Sequence, residues 1–133
     1  MIVLLLLMGL LFPFSAVASD TGLICAIDMG SNSFKLMVGE MKAGGYVQHQ
    51  FIKNHLGVGD DMSKTGVISP PKLKEIRQTL EKYLAVCESK GIQTRAAVAT
   101  AAFREAKNQS EVVEIAKSLH LPLEIASDER ESQ

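Results

Sequence analysis

At 133 residues the chain has the length of one ordinary domain, and its 47 % apolar and 22 % charged residues are those of a soluble globular protein. Lys plus Arg (14) nearly balance Asp plus Glu (15), which excludes a general basic field for coating a polyanion, and no nucleic-acid duplex is expected as a partner. An anionic ligand would have to be held by a few placed side chains and backbone amides. Ile2 to Phe12 is an unbroken apolar run, followed by Pro13 and Ser15-Ala16-Val17-Ala18, with no charge before Asp20. This predicts a signal peptide over residues 1–18, cleaved after Ala18, and export to a periplasmic or extracellular space. No Lys or Arg precedes the apolar run, so the alternatives are a membrane anchor or a cytoplasmic protein with a misassigned start. Residues 19–133 are then the domain.

Leu23 to Ile27 and Phe34 to Val38 are short apolar runs on either side of the turn residues Gly30-Ser31-Asn32-Ser33. Gly44-Gly45 leads into a third strand, Tyr46 to Ile52, completing an antiparallel meander; Asn54 to Ser69 reads as loop. Ser69-Pro70-Pro71 opens a helix, with a hydroxyl cap and prolines where amide donors are unused. Its apolar stripe is Leu73, Ile76, Leu80, Leu84 and Cys87, and Gly91 closes it. Thr94 to Thr100 is a fourth strand, parallel to a neighbour because a helix intervenes. Asn108, with Glu111 three residues on, predicts a capped helix through Leu119, and Leu121 to Ile125 a fifth strand. Three antiparallel strands followed by β-α-β-α-β predict an α/β fold built on a mixed five-stranded sheet. The chain stops at Gln133 where a further helix begins, so the domain reads as incomplete at its C-terminus.

Cys25 and Cys87 both fall on apolar faces, and we expect two free core cysteines rather than a pair. The histidines His49, His55 and His120 have no ligand spacing, so no zinc site is read. Three segments carry possible chemistry. In Asp28-Met29-Gly30-Ser31-Asn32-Ser33-Phe34-Lys35 a carboxylate ends a buried strand, a glycine lets the backbone come close to a ligand, and small polar residues can offer donors to a phosphate. The same string also suits an ordinary Asx-type hairpin turn. In Thr100-Ala101-Ala102-Phe103-Arg104, Arg104 can point over the carboxyl edge of the sheet toward a phosphate, or else pair on the surface with Glu105 or Glu111. Ser127 to Ser132 follows a strand; Asp128 and Glu131 there have the spacing of a helix cap.

These segments match one family in order. Ala26 to Leu36 resembles the first phosphate loop of the exopolyphosphatase / guanosine pentaphosphate phosphohydrolase family, and Leu56-Gly57-Val58-Gly59 resembles its L-G-x-G loop. Ala99 to Asn108 is similar to its T-[SA]-A-[LF]-R-[ED]-A-x-N motif, and Ile125 to Ser132 to its I-S-G-x-E-E-A segment. The resemblance implies a ribonuclease-H-like half of the actin-like ATPase and sugar-kinase superfold. It implies Mg²⁺-dependent removal of terminal phosphate from polyphosphate or a guanosine penta/tetraphosphate, and allows a homodimer of the full-length protein. Asp28 would be the magnesium carboxylate, Gly30, Ser31, Asn32 and Ser33 the phosphate cradle with Lys35 beyond it, Arg104 a phosphate contact, and Glu131 the base that activates water. Departures are Lys35 for a common arginine, Asp128 for glycine, Arg130 for an acid and Ser132 for alanine. Arg130 beside Glu131 would hold the carboxylate ionised and weaken it as a base. A non-catalytic module that binds polyphosphate or an alarmone, or an inactive fragment, is the alternative.

Overall fold

The computed structural model of the protein describes residues 22–127. The leader read over residues 1–18, and Asp128, Arg130, Glu131 and Ser132, lie outside that span. Strands β1 (Leu23–Met29), β2 (Ser33–Lys42) and β3 (Gly45–His55) come first, followed by the one-turn helix α1 (Val58–Met62) and the long helix α2 (Pro70–Ser89). Then come β4 (Arg95–Ala99), the short helix α3 (Ala101–Glu105), α4 (Gln109–Ser118) and β5 (Leu123–Ile125).

Across the sheet the order is β3-β2-β1-β4-β5. β1 pairs antiparallel with β2, and β2 with β3, whereas β1–β4 and β4–β5 are parallel. This is the meander followed by β-α-β-α-β that the residue pattern predicts. Both parallel crossovers travel in the same direction along the sheet, so right-handed connections place α2 and α4 on one face. Burial alternates accordingly. Cys25, Ile27 and Met29 of β1, Phe34, Leu36 and Val38 of β2, and Ala97 and Ala99 of β4 face the core, where Ile76, Leu80 and Leu84 of α2 meet them. Residues 24, 26 and 28 of β1, on the opposite face, are only half-buried.

Ser69 caps α2 as its sequence predicts, its Oγ accepting from the Lys72 amide at 3.4 Å with Pro70 and Pro71 in the first turn. Its amide and hydroxyl also donate to the two carboxylate oxygens of Asp61, at 2.8 and 2.7 Å, which anchors the start of α2 to α1. Tyr83 belongs to the buried stripe although the apolar pattern passes over it. Its hydroxyl lies within hydrogen-bond reach of the Phe34 carbonyl (3.1 Å) and Asn54 Oδ1 (2.7 Å), and burial raises the phenol pKa. Gly39 sits at the register shift in β2, where a Cβ would collide with the Tyr46 ring folded across it.

Three expectations are corrected. The span Asn54 to Ser69, expected as loop, holds the end of β3 and the one-turn helix α1. Cys25 and Cys87 are not free: they form a disulfide across a Cα–Cα distance of 6.4 Å, because strand alternation and the helical stripe aim them at the same point of the core. Asn108 occupies the cap position of α4 but makes no side-chain cap bond. Its Oδ1 accepts from the Ile68 amide and its Nδ2 donates to the Ile68 carbonyl, both at 2.9 Å, while Nδ2 also reaches Glu111 Oε2 at 2.6 Å. A tertiary pairing has taken the carboxamide that the spacing alone assigns to the helix.

Candidate functional site

β1, β4 and β5 are parallel, so their carboxyl ends share one edge of the sheet, the place where open α/β sheets bind ligands. Backbone bonds lock that edge: the Thr100 amide donates to the Met29 carbonyl at 3.1 Å, and the Ala126 amide to the Ala99 carbonyl at 2.9 Å. The turn from β1 to β2 closes with the Gly30 amide donating to the Ser33 carbonyl at 3.0 Å. A Cβ on Gly30 would stand 2.8 Å from that carbonyl oxygen, so only glycine fits.

The turn is a junction of distant segments. The Asn32 carbonyl accepts from the amides of Leu56 (3.0 Å) and Gly57 (2.9 Å), and the Ser31 carbonyl from Gly59 (2.9 Å). Gly57, at φ 65°, turns the chain into α1, whose single turn the periodicity of the sequence does not announce. From the other side the Ala102 amide of α3 donates to Ser31 Oγ at 3.1 Å. Three of the four quoted motifs thus meet, Gly30–Ser33, Leu56–Gly59 and Thr100–Arg104. Among them lies a cavity of about 320 Å³ lined by Ser31, Gly59, Ser63, Gly66, Ala102 and Glu105. Of these, Ser63 and Gly66 belong to no sequence motif, and Glu105, inside the Ala99–Asn108 segment, lines the cavity where the sequence suggests only a surface partner for Arg104.

Asp28, Lys35 and Arg104 are not part of this cavity's lining. Asp28 lies directly across the β1–β2 ladder from Lys35, with ammonium and carboxylate 3.8 Å apart and both side chains about one-third exposed. Arg104 is half-buried and its Nη1 donates to the Ala126 carbonyl at 2.9 Å, joining α3 to the segment beyond β5. Among the described residues no group of three or more His, Cys, Asp or Glu side chains is placed to hold a metal ion. A single strand-end carboxylate such as Asp28 still fits Mg²⁺, which keeps waters and takes most of its protein contacts through one or two carboxylates plus substrate phosphates. A larger cavity, about 610 Å³, opens at the opposite edge, where β4 begins. It is lined by Glu88, Ile92, Arg95 and His120 and contains none of the motif residues, so convergence of side chains, not size, singles out the smaller one.

A sequence profile described as the Ppx/GppA phosphatase family matches residues 37–133. The chain belongs to the Ppx/GppA phosphatase family. Solved structures agree in fold. The crystal structure of the Aquifex aeolicus Ppx/GppA family member is 25% identical, with a TM-score of 0.74 over 82% of this chain and 36% of its own. An exopolyphosphatase-like protein is 26% identical, with a TM-score of 0.76 over 83% of this chain and 34% of its own. An exopolyphosphatase from Cytophaga hutchinsonii is 24% identical, with a TM-score of 0.70 over 77% and 33%. The chain therefore spans about a third of the length of these Ppx/GppA structures. The matched profile begins at Met37, beyond the Gly30–Ser33 turn, and takes in both the Leu56–Gly59 and Thr100–Arg104 segments.

Proposed function

We propose that the chain supplies one phosphate-binding wall of a phosphohydrolase that removes terminal phosphate from inorganic polyphosphate or a guanosine penta/tetraphosphate. The observation that carries this reading is the junction at Ser31 and Asn32, which draws the glycine turn, the Leu56–Gly59 loop and α3 together at the carboxyl edge of the sheet. The amides of Gly30, Leu56, Gly57, Gly59 and Ala102 are spent in holding the junction together, so the donors it offers to phosphoryl oxygens are the amides of Ser31 and Asn32, which these bonds hold in place. Asp28 would hold Mg²⁺ and Lys35, its cross-strand neighbour, would add positive charge beside the bound phosphates. Mg²⁺ bound there supplies neutralisation of charge developing on the phosphoryl oxygens. Arg104 would take up a phosphate with its guanidinium while keeping its bond to Ala126. Glu131, outside the described residues, would be the base that activates the attacking water.

Binding of a polyphosphate of defined length, followed by calorimetry in Mg²⁺ on wild type, Gly30→Ala and Arg104→Ala, tests the reading. Both variants should bind about tenfold or more weakly, Arg104→Ala through loss of a charge-assisted contact of about 1.5–3 kcal/mol. Affinities equal to wild type in proteins that melt cooperatively would remove the site.

We also propose that the protein is exported, on the strength of the apolar run and Ala16-Val17-Ala18. N-terminal sequencing of secreted material should begin at Ser19. A membrane-retained chain that still starts at Met1 counts against it.

A further inference from the structure

Neither the phosphate chemistry nor the family membership accounts for the Cys25–Cys87 bond. Cys25 points from β1 into the core at 2 % exposure, and Cys87 is fully buried on the last turns of α2. The bond joins residues 62 positions apart, and the closed loop contains β2, β3, α1, most of α2, and two of the three segments that meet at Ser31. At the same point the Cys25 amide donates to the Thr94 carbonyl at 2.9 Å, and Cys25 lies in register with Arg95 of β4. The crosslink therefore gathers the start of β1, the end of α2 and the start of β4. It lies at the end of β1 opposite Asp28.

Thiol–disulfide exchange needs an attacking thiolate to approach a sulfur in line, and neither sulfur can be approached in the folded domain. We infer that the domain matures by oxidation: a disulfide-donating oxidoreductase acts on Cys25 and Cys87 before the core closes, and the finished bond is sealed against reductant. The electrons balance in two exchanges. A thiolate of one cysteine attacks the donor's disulfide, giving a mixed disulfide and one donor thiol. The thiolate of the other cysteine then attacks the mixed disulfide, forming the Cys25–Cys87 bond and releasing the second donor thiol. Two protein thiols are oxidised, the donor disulfide is reduced to a dithiol, and two electrons and two protons pass to the donor. Such chemistry belongs to oxidising compartments, in keeping with the proposed export but independent of any reading of the substrate.

The test uses the whole chain, with glutathione and glutathione disulfide as the exchange probe. Alkylation should label neither cysteine in the native protein, even after hours in dithiothreitol, and both once denaturant is added with the reductant. Non-reducing digestion should yield one peptide pair linked through Cys25 and Cys87. Chain reduced in denaturant should regain its original melting temperature on dilution into the glutathione mixture. Diluted into reductant, it should melt at least about 10 °C lower, as should Cys25→Ala/Cys87→Ala. Two alkylated cysteines in native protein, or a reduced chain that melts with the oxidised one, would overturn the inference. If the double variant does not fold, the digest decides: a linked peptide upholds the inference and two free thiol peptides end it.

Discussion

The carboxamide of Asn108 pairs with both backbone groups of Ile68, forty residues earlier in the chain, as a strand partner would. Lys107 adds a backbone bond from its amide to the Gly66 carbonyl at 2.9 Å, so the loop before α2 is held to the loop after α3. Removing the carboxamide leaves the Ile68 amide and carbonyl without partners in a partly buried place. Asn108→Ala should therefore destabilise the domain by about 2–3 kcal/mol, read from urea unfolding with an unchanged slope. Asn108→Asp keeps the acceptor but loses the donor and puts an acid beside Glu111, so it should lie no closer to wild type than halfway. A loss below about 0.5 kcal/mol for the alanine variant would return Asn108 to the surface cap that its spacing suggests. Spacing could not reveal the true role, because Asn108 and Glu111 satisfy a local pattern whereas Ile68 is brought in only by the fold. At Gly30 the crowding is local, from the Ser33 carbonyl three residues on, which suits the turn that the string also allows.

Among the elements, α2 was the most legible, since Ser69, two prolines and an apolar stripe specify start, face and length from within the segment. Only Tyr83 was missed, as its polar hydroxyl finds partners on β2 and β3 that no helical period contains. α1 was invisible for the opposite reason. Its five residues have no periodic face to read, and the turn is held from outside, by the Ser31 and Asn32 carbonyls receiving the amides around Gly57. The joint between the two helices can be tested. Ser69→Ala removes both the cap acceptor and the hydroxyl bond to Asp61, and should cost about 1–2 kcal/mol in thermal or urea unfolding. Ser69→Thr should recover most of that loss, and a neutral alanine variant would show that the Asp61 contact to the Ser69 amide suffices by itself.

At the scale of the whole sheet, β1 is the central strand, bonded on both sides and packed under α2, while among the described residues β3 and β5 are the outermost. Native-state hydrogen exchange should find the slowest amides along Cys25 to Met29 and the facing part of β2, approaching the global unfolding free energy. The outer end of the β2–β3 hairpin, where Met41, Tyr46 and Val47 are exposed, should exchange fastest. Uniform protection across the five strands would refute that ranking. The architecture was legible because its strands alternate or run apolar between turn residues and its parallel part follows from one intervening helix. The disulfide was not, because two cysteines on apolar faces reveal no distance between them. Ser31 has a consequence at this scale as well. Its carbonyl holds Gly59 and its hydroxyl holds Ala102, so three loops that could each have wandered separately share one conformational freedom. A ligand settling on any one of them meets a surface whose entropy has already been surrendered in folding, and it need order nothing further for the other two to be in place.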